Sequence, residues 1–423
     1  MSLHCRLFLA RTLAALAALA LLAAGPAAPA RAQQVVPLPA MKAGQVSVSG
    51  LSSGGYMAVQ YGVAFSASVD GVGVIAGGPY YCARGNVNTA TNVCSCTGSP
   101  FLCQVKAGGT KVDELIAITD QNAANNTVDP VAGLARQRIW MLSGSADTLV
   151  PQAVMTDLES YYLHYINSAN ISYKKDLAAQ HAMPTDDFGN ACDKLGSPYI
   201  NNCAFDAAGA LLQWIYGKPT PLNPRGGATP AGKFIEFDQT AFLADPSSHG
   251  MAASGFLYVP PGCDGNAGQG CRLHVVLHGC LQDPTNIGDK YVRNTGYNRW
   301  ADSNRIVLLY PQTAPINPLA NPNACWDWFN YDDAKYAQKG GRQMAAIKLM
   351  VDRLTGAPPP PPPPDSACVT ASNYDHVRAG RAHDKFFTAL ANGSNQSMGL
   401  DNIYIRTTLK RTGPNFYVVG SCP

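Results

Sequence analysis

The sequence predicts an α/β protein, with a mainly parallel central sheet covered by helices and a small C-terminal module after it. Three observations carry this reading. Apolar strand-like runs alternate with helical stretches through much of the chain, the pattern of βαβ units. A G-x-S-x-G turn at Gly50–Gly54 joins one of those strands to a helix. An unbroken proline run, Pro358 to Pro364, forms an extended spacer and leaves a tail too short for a large core of its own.

Residues 1–32 carry Arg6 and Arg11, an apolar run from Leu13 to Ala24, and the small-residue site Ala30-Arg31-Ala32, the pattern of a cleaved secretory signal. The run is short for a membrane span. The expected compartment is therefore extracellular, or periplasmic. These 32 residues take three of the 31 Lys and Arg with them and no acid, so the remainder carries 28 charges of each sign. With no basic stripe, nucleic acid and anionic membranes are not expected partners. Of 13 cysteines Cys5 leaves with the signal, and the even remainder suits an oxidised framework. Sequence proximity pairs Cys192 with Cys203, Cys263 with Cys271 and Cys368 with Cys422, while pairing among Cys82, Cys94, Cys96 and Cys103 stays open. No cysteine spacing fits zinc, so no metal is expected.

The first mature strand ends in Gly50-Leu-Ser-Ser-Gly-Gly55, a turn sharp enough to lift the Ser52 hydroxyl clear of the sheet. Next come the strand Gly71–Ala76, the aromatic pair Tyr80-Tyr81, a Cys/Gly/Asn-rich loop to about Gly109, and a helix near Lys111–Ile118. The strand Arg138–Leu142 runs into a loop holding Asp147. A helix over Ala153–Asn167 and the strand Ile171–Lys175 lead to the loop of His181. Further on, Gly255–Val259 and Arg272–Leu277 read as adjacent strands bridged by a turn, and the second ends in His278-Gly279-Cys280-Leu-Gln282. The strand Arg305–Tyr310 and the helix Arg342–Leu354 complete the region. The predicted division is a signal over 1–32, a catalytic domain over 33–356, a linker over 357–364 and a disulfide-stapled module over 365–423.

Acyl transfer by serine needs a base beside the hydroxyl, an acid that orients the base, and two donors aimed at the developing oxyanion. Ser52, Asp147 and His181 follow each other in the order expected of an α/β-hydrolase fold, each after a strand. His249 is the rival base, but it precedes a strand and belongs at the other edge of a parallel sheet. The backbone N–H groups of Ser53 and Cys280 are the candidate oxyanion donors. In an ordinary fold of this kind the H-G-x loop comes before the serine elbow; here it follows by more than two hundred residues. The order reads as a circular permutation, with new termini at the old helix-to-elbow connection and old termini joined near residues 204–250.

Over about residues 40–356 the chain resembles extracellular poly(3-hydroxybutyrate) depolymerases, within a wider family that includes feruloyl and acetylxylan esterases. The matching residues are Gly50–Gly55, the Asp147 loop, His181-Ala-Met-Pro-Thr185, His278–Gln282 and Cys325-Trp-Asp-Trp-Phe329. The resemblance implies the triad Ser52, Asp147 and His181, the oxyanion donors Ser53 and Cys280, and a Cys280–Cys325 bridge. It implies a serine esterase that hydrolyses polyhydroxyalkanoate without a cofactor, acting as a monomer. An apolar polyester calls for an aromatic rim, for which Trp326, Trp328, Tyr80 and Tyr81 are the candidates. Within enzymes the alternative is a feruloyl or acetylxylan esterase; outside them it is a non-catalytic polymer-binding protein.

Overall fold

In the computed structural model, the described residues are 35–98, 100–264, 270–316, 320–357, 368–413 and 415–420. The expected signal over 1–32, the proline run and Cys422 lie outside them.

The predicted elbow strand, β1 (Gly44–Leu51), lies at the centre of the main sheet. On one side stand β2 (Val69–Ile75), β3 (Arg138–Leu142) and β4 (Ile171–Lys174), each parallel to its neighbour. A separate small sheet of β5 (Met183–Thr185), β6 (Asn190–Ala191) and β7 (Ile200–Asn202) follows in the chain. The other side of the main sheet comes from β8 (Lys233–Asp238), β9 (Ser254–Val259), β10 (Arg272–Leu277) and β11 (Ile306–Tyr310). The full order is β4-β3-β2-β1-β10-β11-β9-β8; β1, β10 and β11 are parallel, while β9 and β8 close that edge antiparallel.

One expectation is corrected here. β9 and β10 are not adjacent, because β11 lies between them. β10 is buried on both faces from Leu273 to Leu277, and it pairs on both edges, with β1 and β11, inside the parallel part of the sheet. The Cys263–Cys271 disulfide closes a connection between strands two places apart.

Helices cover both faces. All twelve residues of the helix Ser53–Ala64 are buried, because it lies against β1, β2 and β10 at once. On β2, Gly71 and Gly73 let the helix Ala207–Tyr216 lie close: a Cβ on Gly73 would stand 2.1 Å from Leu211 Cδ1. Residues 36–43 run from an isolated bridge with Phe237 of β8 to the end of the helix Arg342–Thr355, where the N–H groups of Met41 and Ala43 donate to Arg353 O and Leu354 O.

Under the sheet centre, His274 of β10 is fully buried and bonds Ser47 and Ser49 of β1 through its two ring nitrogens, at 2.5 and 2.8 Å. The two hydroxyls pass on to Tyr216 and Tyr297. Burial pushes the imidazole pKa down to about 3, so it is neutral and structural.

Five disulfides lie among the described residues: Cys82–Cys94, Cys96–Cys103, Cys192–Cys203, Cys263–Cys271 and Cys280–Cys325. They include both described pairs read from proximity and the bridge implied by resemblance.

The C-terminal residues form two three-stranded sheets. The first is β12 (Cys368–Ser372), β16 (Arg406–Gly413) and β17 (Phe416–Val419); the second is β13 (Ala382–Lys385), β14 (Thr388–Ala391) and β15 (Ser397–Leu400). Their core is small: Ala382, Ala389, Ala391, Met398 and Leu409. The β13–β14 hairpin turns on Phe386 and Phe387, both with positive φ and 88% and 80% exposed.

Candidate active site

The site lies where the chain order of the sheet reverses, at the carboxyl ends of β1 and β10, the place where open parallel sheets form a crevice. β1 ends at Leu51, and Ser52 takes φ 57° and ψ −123°, a region L-residues rarely occupy, before the helix starts at Ser53. Two hydrogen bonds hold it there: Ser52 N–H donates to Ile75 O at 2.9 Å, and Tyr56 N–H to Ser52 O at 3.0 Å. The flanking glycines are obligatory. A Cβ on Gly50 would stand 2.1 Å from Gly54 O, and one on Gly54 would stand 2.4 Å from both Leu277 O and His278 O.

Asp147 and His181 come together from separate loops. His181 Nδ1 donates to Asp147 Oδ2 at 2.8 Å, with both side chains buried. Asp147 Oδ1 accepts the N–H groups of Leu149 and Val150 at 2.9 and 2.8 Å, which fixes the carboxylate. Gln180 Oε1 accepts from the N–H groups of His181 and Thr148 and ties the two loops to each other. Ser52 and His181 line the same cavity with no hydrogen bond between them, the loose link that ligand-free hydrolases often show.

The H-G-x loop closes the other side. Gly279 packs against the elbow so tightly that a Cβ there would be 3.2 Å from Ser52 Cβ. Its N–H donates to Gln282 Oε1 at 2.7 Å, and that of Leu281 donates to Asn323 O at 2.7 Å. Between these two committed amides, the Cys280 N–H donates to no acceptor among the described residues, and neither does the Ser53 N–H at the helix start. The pair can therefore receive an oxyanion. Cys280 is pinned by its disulfide to Cys325. His278 points away from the cavity: burial lowers its pKa, its Nδ1 bonds Gly279 O at 2.7 Å, and its Nε2 accepts from Thr313 N–H.

His249 stands apart. Its Nδ1 bonds Asp332 Oδ1 at 2.8 Å, Asp332 in turn pairs with Arg342, and His249 does not line the cavity.

The cavity is about 420 Å³, with walls that are mostly apolar: Tyr56, Leu149, Val150, Tyr199, Leu281, Trp328 and Phe329. Of the four aromatic residues expected at the rim, Trp328 alone lines it, stacked on Tyr56 with ring centroids 4.1 Å apart. Trp326 is fully buried behind the His278–Cys280 loop, where its Nε1 donates to His278 O at 2.9 Å. Tyr80 is fully buried and donates to Ala337 O, and Tyr81 stacks on Tyr336. Tyr56 was missed in the sequence, although its place four residues after Ser52, one helical turn along, is a usable signal. Tyr199 had no local signal, since a fold between distant loops brings it to the cavity.

No family model matches the chain. Among curated proteins it is 40% identical over 487 aligned positions to a poly(3-hydroxybutyrate) depolymerase of Delftia acidovorans, covering 92% of this chain and 95% of that one. It is 42% identical to a polyhydroxybutyrate depolymerase of Talaromyces funiculosus, over 75% of this chain and 91% of the relative. Among solved structures it matches the PHB depolymerase of Penicillium funiculosum with TM-score 0.65 and 40% identity, over 76% of this chain and 99% of that one. A PHB depolymerase variant complexed with R3HB trimer matches with TM-score 0.66 and the same identity and coverage. With identity at this level sustained across nine-tenths of both sequences, the chain belongs to the poly(3-hydroxybutyrate) depolymerase family.

Proposed function

We propose that the chain is a secreted serine esterase that hydrolyses the ester bonds of poly(3-hydroxybutyrate) or a related polyhydroxyalkanoate. The observation that carries the reading is a strained serine elbow sharing one apolar cavity with a buried His–Asp pair and two unengaged backbone donors, in a member of this family. Ser52 Oγ attacks the ester carbonyl while His181 Nε2 takes its proton, and Asp147 Oδ2 holds the ring through Nδ1–H. The carbonyl oxygen, now an anion, lies between the N–H groups of Ser53 and Cys280. His181 then returns the proton to the leaving alkoxide. A second round, with water as nucleophile, releases the 3-hydroxyacyl group and restores Ser52. None of these steps calls for a metal or organic cofactor.

Export is supported by the residues of 1–32 and by five disulfides, which persist in oxidising compartments. The circular permutation is supported by the chain order of the sheet and by residues 36–43 reaching the end of the helix Arg342–Thr355 at Met41 and Ala43, just before β1, so the two sides of the proposed old helix-to-elbow connection adjoin. The module after the proline run is assigned to adsorption on the solid polymer. Aromatic side chains at the left-handed Phe386 and Phe387 positions cost about 1–2 kcal/mol each relative to glycine, and their exposure gives no compensating burial within the fold.

The test is product release from a panel: polymer granules, feruloylated arabinoxylan and acetylated xylan. The reading expects 3-hydroxybutyrate or its oligomers from granules alone. Ferulate or acetate release without granule hydrolysis moves the assignment to the sugar-ester relatives, and no product from a folded chain makes it a binding protein.

A further inference from the structure

Gln282, the last residue of the His278–Gln282 segment, lines the cavity that holds Ser52 and His181, yet it is 1% exposed and every polar atom of its side chain is engaged within the protein. Its Oε1 accepts the Gly279 N–H at 2.7 Å. Its Nε2 donates to Pro198 O and Tyr199 O, each at 3.0 Å. Tyr199 O also accepts the N–H of Met183, two residues beyond His181, at 2.9 Å. One amide thus joins the residue before the oxyanion donor Cys280 to the segment that carries the base. The two partners are about eighty residues away in sequence, 83 for Tyr199, and no backbone ladder links them.

The engagement decides which amide of the loop stays free. Gly279 N–H lies beside the elbow and would compete with Cys280 N–H for any anion formed at Ser52; Gln282 Oε1 occupies it. Leu281 N–H is occupied by Asn323 O in a residue held at φ 60°. The peptide between Gly279 and Cys280 is consequently fixed in orientation from both ends, with the Cys280 N–H left over.

We propose that Gln282 is a positioning residue for the hydrolytic reaction: it aims the Cys280 N–H at the oxyanion by holding Gly279 and locking that loop to the His181 segment. The proposal rests on the serine-esterase reading above. It goes beyond the triad and the two oxyanion donors by naming what orients one of them. A donor that is misdirected rather than deleted loses transition-state stabilisation but little ground-state affinity, since the substrate carbonyl carries less charge than the oxyanion.

The experiment uses the whole chain with Gln282→Met, which keeps the length and removes all three bonds, and Gln282→Glu, which keeps the acceptor for Gly279 N–H and sets an oxygen against two carbonyls. Active sites are first counted by covalent labelling with a fluorophosphonate. If the wild-type chain takes no label at Ser52, the underlying serine-esterase reading fails, and the role of Gln282 falls with it. With labelling in place, kcat per labelled site and KM are measured on a soluble short-chain ester, together with the affinity of an alkyl boronate that forms a tetrahedral anion on the serine. The expected result for Gln282→Met is a fall in kcat of about 10- to 100-fold, less than the loss of a whole oxyanion donor, with KM within about twofold and boronate affinity down in parallel. Gln282→Glu is expected to lose less, because Gly279 stays held. A purely structural role would lower the number of labelled sites and leave kcat per site and boronate affinity unchanged, which overturns the proposal. A fall in kcat without loss of boronate affinity also overturns it. Should Gln282→Met not fold, Gln282→Glu with wild-type kcat per site and boronate affinity is sufficient to reject it.

Discussion

Lowering the pH should destabilise the fold through one buried histidine, and the size of the effect follows from its surroundings. His274 has no solvent exposure, sits between β1 and β10 and is bonded by two serine hydroxyls, with no acid to compensate a positive charge. Burial depresses its pKa from 6.5 to about 3. Between those values the unfolded chain takes up a proton that the folded chain refuses, so stability is fully present above pH 6.5 and is lost as pH falls toward 3. At pH 4 the cost is on the order of 3 kcal/mol, from roughly 2.5 pH units at about 1.4 kcal/mol each. That is a substantial part of the stability of an ordinary domain. The assay is urea unfolding with disulfides intact from pH 7.5 to 4, for the wild type and for His274→Asn, which cannot titrate. The variant should be less stable at neutral pH, and its stability should fall less on acidification, the gap closing by on the order of 3 kcal/mol by pH 4. Parallel pH profiles for the two proteins would refute the reasoning, since other titrating groups are common to both.

Three further outcomes are expected. Asp147→Asn keeps the shape but presents an amide to His181 Nδ1, and kcat on soluble esters should drop on the order of 10⁴-fold with the fold intact, checked by steady-state kinetics and circular dichroism. Replacing both Cys280 and Cys325 by serine opens a link across 45 residues; the chain-entropy model gives a loss of about 4 kcal/mol in unfolding free energy, and kcat should fall because the oxyanion loop is no longer pinned. Phe386→Ser with Phe387→Ser should weaken adsorption to polymer granules, measured by depletion from the supernatant, while soluble-ester hydrolysis stays at the wild-type rate; unchanged adsorption removes the targeting role of that hairpin.

The elbow was legible because its constraints are local: a strand, two glycines that backbone crowding makes obligatory, and a helix in direct succession. Asp147 and His181 were legible from position alone, as residues in loops at the carboxyl ends of strands, and the structure brings them within 2.8 Å. Strand pairing was less so. The short Cys263–Cys271 connection reads as a hairpin, but a strand with side chains to bury on both faces gains more by insertion between two parallel neighbours, and β10 lies between β1 and β11. β8 escaped notice because Lys233, Glu236 and Asp238 interrupt its apolar residues, as suits an edge strand. The aromatic residues show the clearest limit. Trp326 and Trp328 are two positions apart, yet one is sealed behind the oxyanion loop and the other lines the cavity, a difference set by a loop whose path depends on Asp327 accepting the N–H groups of Asn330, Tyr331, Asp332 and Asp333.

The most direct measurement of the central claim is to react the chain with a fluorophosphonate, locate the adduct by peptide mass spectrometry, and follow polymer-granule hydrolysis on the same samples. The account predicts one adduct, on Ser52, with hydrolysis falling in proportion to labelling and neither label nor hydrolysis in Ser52→Ala. An adduct on another residue, or granule hydrolysis that persists in Ser52→Ala, would contradict it.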